Sequence, residues 1–223
     1  MAVLRTDGEG DLEVSSADGL ECQVYKAFRS ACFGDADYDY EDKRYCILHL
    51  PSENKKADFK KALYEKLGNQ DFNFAGAFFP SGTTQFEQHE FVRADFSGAT
   101  FCGETSFFGA QFSGDKTSFQ GATFSSRYTS FLGARFGVSG GGAYFGGAQF
   151  SGDSTNFDRA EFSGHTDFMG AKFSAVETTF RHATFSGGKA NFIGARFSGN
   201  STDFSEAEFS GYGLAPVPRT LEH

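Results

Sequence analysis

The sequence predicts an all-β solenoid, in which the chain winds as a parallel β-helix with a square cross-section. Two observations carry this prediction. A phenylalanine returns in five-residue steps between Phe74 and Phe209, and an alanine or threonine nearly always stands two positions before it. Of the 30 phenylalanines, 24 lie on this lattice, and 22 of those 24 have the small residue. Neither an α-helix nor a flat strand has such a period, so the lattice indicates a repeated structural unit.

The five-residue period requires a corner between successive pairs of inward-facing residues. A strand that alternated without interruption would bring a third residue into the interior. Glycine suits the third position of a type II turn, where φ is positive. The sequence predicts such corners at Gly76, Gly98, Gly109, Gly121, Gly133, Gly147, Gly170 and Gly194. Type I-like corners are expected where another residue replaces glycine, at Arg93, Arg159, His182 and Glu206.

Four corners close one coil, and stacked coils are expected to pair like parallel strands about 4.8 Å apart. Two-residue insertions such as Asp115-Lys116 give about 24 residues per turn, hence about six coils and a rod roughly 30 Å long. The insertion after Phe136, which includes Gly140, Gly141 and Gly142, is longer and predicts a protruding loop. Each fully buried phenylalanine contributes on the order of 1.5–3 kcal/mol to folding. The predicted core contains Phe86, Phe91, Phe96, Phe101, Phe107, Phe112, Phe119, Phe124, Phe131, Phe136, Phe180, Phe185, Phe192 and Phe197.

The unit Ala/Thr-x-Phe-Ser-Gly, in the form Phe-x-Gly-Ala-x-Phe-Ser-Gly, resembles the pentapeptide-repeat family over residues 71–211. The resemblance implies a right-handed quadrilateral β-helix with the aromatic residue and the preceding small residue inside. Repeats of that family usually centre on leucine and run without interruption, so the insertions in this chain are a departure. The best-understood activity of the family is mimicry of duplex DNA, in which an acidic rod occupies the DNA-binding saddle of a type II topoisomerase such as gyrase.

Residues 1–70 differ in composition from the repeats and are predicted to form a separate, cysteine-containing module. Residues 1–19 are acidic with few large apolar groups, and we expect them to be mobile or loosely docked. A second acidic stretch, residues 35–42, is interpreted as solvated surface. Apolar residues at helical spacing predict an amphipathic helix over residues 54–67, with Gly68 as its stop. The helix is expected to cap the first coil, because an open end exposes apolar core and unpaired strand edges.

One constellation has the chemistry of a metal site. Its members are Cys22, Cys32, Cys46 and His49, the last two in a Cys-x-x-His arrangement. Three thiolates and an imidazole satisfy tetrahedral zinc, although the first two ligands have a long and irregular spacing. The alternative is that these are ordinary buried or surface thiols. The segment 45–49 also resembles the ending of a small zinc-binding leader found ahead of some repeat proteins of this kind. Disulfides are not expected in an intracellular chain, and Cys102 is interpreted as unrelated.

The sequence contains no recognisable catalytic constellation, so we expect a non-enzyme. His89 occupies an inward slot that elsewhere holds Ala or Thr, and it is interpreted as a structural residue in need of a partner. The repeated serines follow the phenylalanines at corners, where their hydroxyls are expected to bond to local backbone. A metal-dependent enzyme in the N-terminal module is a minor alternative, because four protein ligands would leave zinc no open position.

The outer surface of the rod is the remaining place for function. Residues 71–211 carry 14 acidic and 9 basic residues, a mixed pattern that fits DNA mimicry poorly. At about 24 residues per turn, Gln149, Lys172 and Arg196 form one outward column, and Glu161, Thr184 and Glu208 form another on the opposite face. The sequence therefore favours a scaffold that binds an unidentified protein through these faces, with Lys172, Arg196, Glu161 and Glu208 as candidate binding residues. A topoisomerase-directed DNA mimic is the alternative.

The remaining expectations concern setting and ends. The chain has no apolar run of membrane-spanning length and no signal-peptide pattern, so a cytoplasmic protein without direct nucleic-acid binding is expected. Residues 212–223 are interpreted as a linker followed by an expression-tag remnant. No comparable helix follows Phe209, which leaves a homodimer through the C-terminal end as a hypothesis.

Overall fold

Most of the described chain is a solenoid, in which short parallel strands are stacked on the four sides of a coil. The computed structural model describes residues 36–82 and 84–210. Its solenoid consists of four parallel sheets with six, six, five and four strands, one strand per coil. We call the four sides faces 1 to 4, in the order in which the chain passes through them. The quadrilateral β-helix predicted from the five-residue period is confirmed.

A hairpin and a helix precede the solenoid. Strands β1 (Tyr38–Tyr40) and β2 (Lys43–Tyr45) pair antiparallel. A 3-10 turn (Glu53–Lys55) leads into the helix α1 (Lys56–Gly68). The helix predicted over residues 54–67 is therefore present, with its ends displaced by one or two residues.

The strands of the solenoid are two or three residues long. Face 1 contains β8 (Lys116–Ser118), β12 (Gly142–Tyr144), β16 (Thr166–Asp167) and β20 (Ala190–Asn191). Face 2 contains β3 (Phe78–Phe79), β5 (Thr100–Phe101), β9 (Thr123–Phe124), β13 (Gln149–Phe150), β17 (Lys172–Phe173) and β21 (Arg196–Phe197). Face 3 contains β6 (Thr105–Ser106), β10 (Tyr128–Ser130), β14 (Ser154–Asn156), β18 (Glu177–Thr179) and β22 (Ser201–Asp203). Face 4 contains β4 (Glu90–Val92), β7 (Gln111–Ser113), β11 (Arg135–Phe136), β15 (Glu161–Phe162), β19 (Thr184–Phe185) and β23 (Glu208–Phe209).

The lattice phenylalanines fill the interior as four columns of six rings. Neighbouring rings in a column are stacked with centroids 4.6 to 5.3 Å apart. About five turns of chain join the first layer of rings to the last. Adjacent columns meet edge to face, a favoured aromatic geometry, as where Phe119 contacts Phe131 at 5.5 Å. Every predicted core phenylalanine lies in these columns, and all are buried except the half-buried Phe197.

Helix α1 covers the first layer of the ladder. The ring of Phe59 is fully buried and meets the ring of Phe79 edge to face at 5.3 Å. Lys55, which sequence analysis did not single out, is also fully buried. Its Nζ donates to the carbonyl oxygens of Ile47 and Leu48 at 2.7 and 2.9 Å and lies 4.4 Å from the Phe59 ring centroid. The helix therefore caps the first coil, and the lysine joins the cap to the loop before it.

The corner residues have a left-handed backbone conformation, with positive φ, whether or not they are glycine. The eight predicted glycine corners have φ between 61° and 70°. The type I-like corners predicted elsewhere are wrong, because φ is 55° or 56° at Arg93, Arg159, His182 and Glu206. The cause is the stacking of coils. The Arg159 N–H donates to the Arg181 carbonyl at 2.8 Å, as the Gly133 N–H donates to the Asp158 carbonyl at 2.9 Å. The neighbouring coil imposes one corner geometry on every residue type.

Replacing Arg159 with glycine is expected to raise the free energy of unfolding by up to about 1 kcal/mol. A non-glycine residue loses about 1–2 kcal/mol in the left-handed region, and the greater freedom of the unfolded glycine chain offsets part of the gain. The matched control is Gly133→Ala, at the same corner one coil earlier, which should be destabilising. Urea unfolding measures both changes, and a loss of stability in Arg159→Gly would contradict the corner geometry.

The glycine-rich insertion does not form the predicted protruding loop. Gly140 donates to the Gly137 carbonyl at 2.7 Å, which closes a tight turn. Gly141 lies so close to the previous coil that a Cβ there would stand 1.8 Å from the Gly114 oxygen. Gly142 is already part of β12. The extra residues are absorbed because glycine lets backbones approach closely.

Several expectations fall on residues outside the described ranges. They are the loosely docked acidic residues 1–19, Cys22, Cys32, and the linker and tag remnant over residues 212–223. Within the described ranges, no helix is both long and apolar enough to cross a membrane.

Candidate interaction surface and metal site

The loop after β2 brings Cys46 and His49 together. The Cys46 carbonyl accepts the N–H groups of His49 and Leu50, each at 3.0 Å, so the Cys-x-x-His segment is one turn. Sγ of Cys46 and Nδ1 of His49 lie 3.0 Å apart, and both side chains are buried. The predicted partners Cys22 and Cys32 lie outside the described residues. In residues 36–82 and 84–210 no group of three or more potential metal ligands converges.

The solenoid fixes the orientation of the His49 ring. Its Nε2 lies 2.9 Å from the carbonyl oxygen of Ala75, in the first coil. A carbonyl can only accept, so Nε2 carries a proton, and in the neutral imidazole the lone pair of Nδ1 then faces Sγ. A hydrogen bond from the far nitrogen to a carbonyl is the usual outer-shell support of a metal-binding histidine.

Cys102 lies apart from this pair, in the corner between faces 2 and 3 of the second coil. Burial, together with the neighbouring Glu53 carboxylate, raises the pKa of its thiol. A raised pKa lowers the fraction of reactive thiolate. The raised pKa makes Cys102 a weaker nucleophile than an ordinary thiol at the same pH.

His89 lies at the start of the face 4 column, where the later coils have alanine. Its ring meets Phe72 and Phe91 edge to face at 5.7 and 4.6 Å, and within the described residues its buried Nε2 has no hydrogen-bond partner. The partner expected for the imidazole is not found at Nε2 in the described part of the chain, and the contacts that hold the ring are aromatic. Burial lowers the pKa of His89, and Glu90 opposes this only in part.

The stability of the protein is expected to fall on acidification in a way that depends on His89. Because its folded-state pKa lies below the ordinary value of 6.5, the unfolded chain binds the proton more readily. This contribution is present above about pH 6.5 and is lost as the pH falls further. His89→Ala, which restores the alanine of the later coils, should flatten the dependence of unfolding free energy on pH between neutral and mildly acidic buffers. Equal slopes in both proteins would contradict the assignment.

Two outward columns predicted from the coil length are present in register. On face 2, Gln149 pairs with Lys172 and Lys172 with Arg196. On face 4, Glu161 pairs with Thr184 and Thr184 with Glu208. The two faces lie on opposite sides of the coil, since faces 1 and 3 separate them along the chain.

Part of the acidic charge of face 4 is paired with cations one coil away. Sequence analysis did not place Arg135 in this column, where its Nε donates to Glu161 at 2.9 Å. At the adjoining corner Arg181 binds Asp158 through two nitrogens at 2.7 and 3.0 Å. Although burial alone would raise it, these hydrogen bonds hold the pKa of Asp158 below its usual range.

Face 2 differs from face 4 in charge. Its six passes, each counted from the corner that enters the face, are residues 75–80, 97–102, 120–125, 146–151, 169–174 and 193–198. They contain no Asp or Glu, and their only cations are Lys172 and Arg196. The entering corner is glycine in every coil, and its last two passes place Met169 and Ile193 outward with 52% and 53% exposure. Sequence analysis missed these two residues, which become neighbours only when the coils are aligned.

The serines that follow the phenylalanines bond to the backbone of the previous coil, so the prediction that they bond to local backbone is wrong on face 2. On face 2, the hydroxyls of Ser125, Ser151 and Ser174 donate to carbonyl oxygens of Phe101, Phe124 and Phe150 at 3.1 to 3.3 Å.

Comparison of the sequence with protein-family models gave no match, and comparison with curated proteins gave none either.

Proposed function

We propose that the protein is a non-catalytic scaffold that binds another protein through the outer faces of its rod. The observation that supports this most is the charge asymmetry between face 2, which has cations and no acidic residue, and face 4, where acidic residues predominate. The interior consists of stacked phenylalanine rings and small residues, which supply stability and no reactive group. The outside is therefore the part of the solenoid that can distinguish one partner from another.

The DNA-mimic alternative receives less support from the same surface. A mimic needs negative charge arrayed like phosphates along the rod. Here carboxylates of successive coils alternate with cations, as in the pairs Arg135–Glu161, Arg127–Asp153 and Arg181–Asp158. Gyrase supercoiling assays, with and without a quinolone, distinguish the two proposals. The scaffold proposal predicts no effect at micromolar protein, and inhibition or drug protection would favour the mimic.

Affinity capture on the immobilised full chain tests the scaffold proposal. Two variants with altered faces are compared with the unaltered chain: Lys172→Glu with Arg196→Glu on face 2, and Glu161→Lys with Glu208→Lys on face 4. A protein captured in stoichiometric amounts by the unaltered chain and lost with one variant supports the proposal. Identical capture by all three chains would contradict it.

We further propose a structural zinc site that includes Cys46 and His49. The support is the convergence of Sγ and Nδ1 and the hydrogen bond that fixes the far nitrogen of the imidazole. Cys22 and Cys32 are the proposed remaining ligands. Zinc bound by four protein ligands would link the N-terminal segment to the first coil and would have no open position for catalysis.

Protein purified without added metal is expected to contain about one zinc per chain. Cys46→Ser should lose the metal, because serine is a poor zinc ligand, while Cys102→Ser should retain it as the matched control. Atomic emission measures zinc content, and thiolate-to-cobalt absorption after Co²⁺ substitution reports on cysteine ligation. Metal-free protein with normally titrating thiols would reject the site and leave Cys46 and His49 as a hydrogen-bonded pair.

A further inference from the structure

Face 2 contains a pair of like charges that its own fold leaves unbalanced. Among the paired positions of the parallel strands, two pairs consist of two charged residues: Arg135 with Glu161 and Lys172 with Arg196. The first pair is opposite in sign and forms a hydrogen bond at 2.9 Å. The second is like in sign, and within the described residues neither cation forms an ion pair. Like charges placed directly opposite in a sheet are destabilising, so this pair carries a folding cost without internal compensation.

An exposed apolar ridge lies beside the two cations. The Gly170 N–H donates to the Ile193 carbonyl at 2.9 Å, so the corners bearing Met169 and Ile193 are stacked on each other. Each corner is followed three residues later by a cation, Lys172 or Arg196. Both apolar side chains are more than half exposed. The end of face 2 therefore presents two adjacent cations next to two adjacent apolar groups.

We infer that this patch, made of Met169, Lys172, Ile193 and Arg196, is the docking site for an acidic polypeptide segment that also carries apolar side chains. The inference rests on the scaffold function proposed above and names its partner class. Carboxylates of the segment would neutralise the two cations, and its apolar side chains would cover the ridge. The glycines at the entering corner have no side chains, and open space lies over Gly121, Gly147 and Gly170, so a partner backbone can approach closely.

The charge distribution favours a short acidic peptide over a polyanion or a membrane. A nucleic acid or an anionic bilayer gains affinity from many cations over a broad surface, and this face has two. The chain has a net charge of −9, which repels an extended anion beyond the patch. A segment with a few carboxylates meets the cations without meeting the acidic faces. A second copy docking through face 4 would also bring Arg135, which pairs with Glu161, towards the two cations.

The test uses the purified full chain and a short fluorescent peptide of alternating Glu and Leu, followed by fluorescence anisotropy. Binding is expected to weaken with added salt. Lys172→Glu should weaken binding by about tenfold, because it places a carboxylate where the peptide needs a cation. The same variant should raise the melting temperature, since the substituted carboxylate faces Arg196. If Lys172→Glu binds the peptide more weakly although it melts at a higher temperature, the loss of binding cannot be caused by unfolding.

The matched control is Arg135→Glu on face 4. It places a like charge opposite Glu161, so it should lower the melting temperature and leave peptide binding unchanged. Met169→Ser with Ile193→Ser should also weaken the Glu-Leu peptide, whereas an all-Glu peptide should bind weakly to every chain. These paired outcomes would support the site.

Three outcomes would overturn the inference. The first is equal binding of a neutral peptide in which Gln replaces every Glu of the Glu-Leu peptide, which would remove the role of charge. The second is tighter binding of duplex DNA or phosphatidylserine vesicles than of the peptide. The third is self-association, measured by light scattering, that Lys172→Glu abolishes.

The peptide assay and the affinity capture separate this inference from the scaffold function. If the peptide does not bind but the face 2 variant still fails to capture the partner protein, the partner class is wrong and the scaffold function stands. If no variant alters capture either, the scaffold function fails as well.

Discussion

Replacing Phe131 with alanine is expected to lower the free energy of unfolding by about 3–5 kcal/mol. The ring is fully buried and stacks between Phe107 and Phe157 at 4.9 and 4.7 Å. Backbone hydrogen bonds hold the coils at a fixed spacing, so the layers above and below cannot close over the cavity. Urea unfolding followed by far-ultraviolet circular dichroism measures the loss.

Two other phenylalanines provide controls for this change. Phe204 lies half-buried in the last layer and stacks on one ring, Phe180 at 4.7 Å, so its replacement by alanine should cost about 1–2 kcal/mol. Phe108 points outward with 43% exposure, and its replacement should change stability by less than about 0.5 kcal/mol. The expected order is Phe131, then Phe204, then Phe108. Similar losses at all three positions would contradict the ladder.

Replacing Gly164 with alanine is expected to destabilise the protein by about 3 kcal/mol. A Cβ at this position would stand 1.9 Å from the Gly141 carbonyl oxygen and 2.7 Å from its carbon. Both atoms belong to the backbone of the neighbouring coil, so no side-chain rotation relieves the clash. The coils must separate at the corner between faces 4 and 1, which weakens several stacked hydrogen bonds at once.

Gly121→Ala separates this steric effect from the cost of a left-handed conformation. Gly121 has a φ of 65°, and no atom lies within 4 Å of a Cβ added there. The substitution should therefore cost about 1–2 kcal/mol, the strain of the left-handed region alone. Chemical denaturation of both variants gives the comparison. A smaller loss at Gly164 than at Gly121 would show that the coils are not in close backbone contact.

The lattice was predictable because one rule repeats along the chain. Each phenylalanine position and the small residue before it recur in sequence, so the columns, the coil and the outward register of Lys172 and Arg196 follow from counting residues. The features that escaped prediction depend on contacts between coils. The left-handed φ of Arg159 is imposed by hydrogen bonding to the next coil, and the need for glycine at residue 164 comes from the backbone of residue 141.

The candidate surface was also predictable only where its residues follow the repeat. The column of two cations follows from the period, whereas the exposed ridge of Met169 and Ile193 lies at a variable corner position with no repeated signal. The pairing of Arg135 with Glu161 was also missed, because it required placing one more coil in register. Comparing complete faces rather than single columns would have found both. The repeated interior determines the fold of the solenoid, and the differences between the outer faces support the proposed recognition of a partner.

Site-specific photo-cross-linking on opposite faces tests this proposal most directly. A photoreactive residue is placed at Gln149, beside the cations of face 2, and in a second protein at Thr184 on face 4. Both proteins are irradiated in cell lysate, and the cross-linked products are identified by mass spectrometry. The predicted result is that one lysate protein is reproducibly cross-linked to the residue at position 149 and is not cross-linked to the residue at position 184. Equal cross-linking from both faces, or from neither, would contradict a scaffold that binds its partner through one side of the rod.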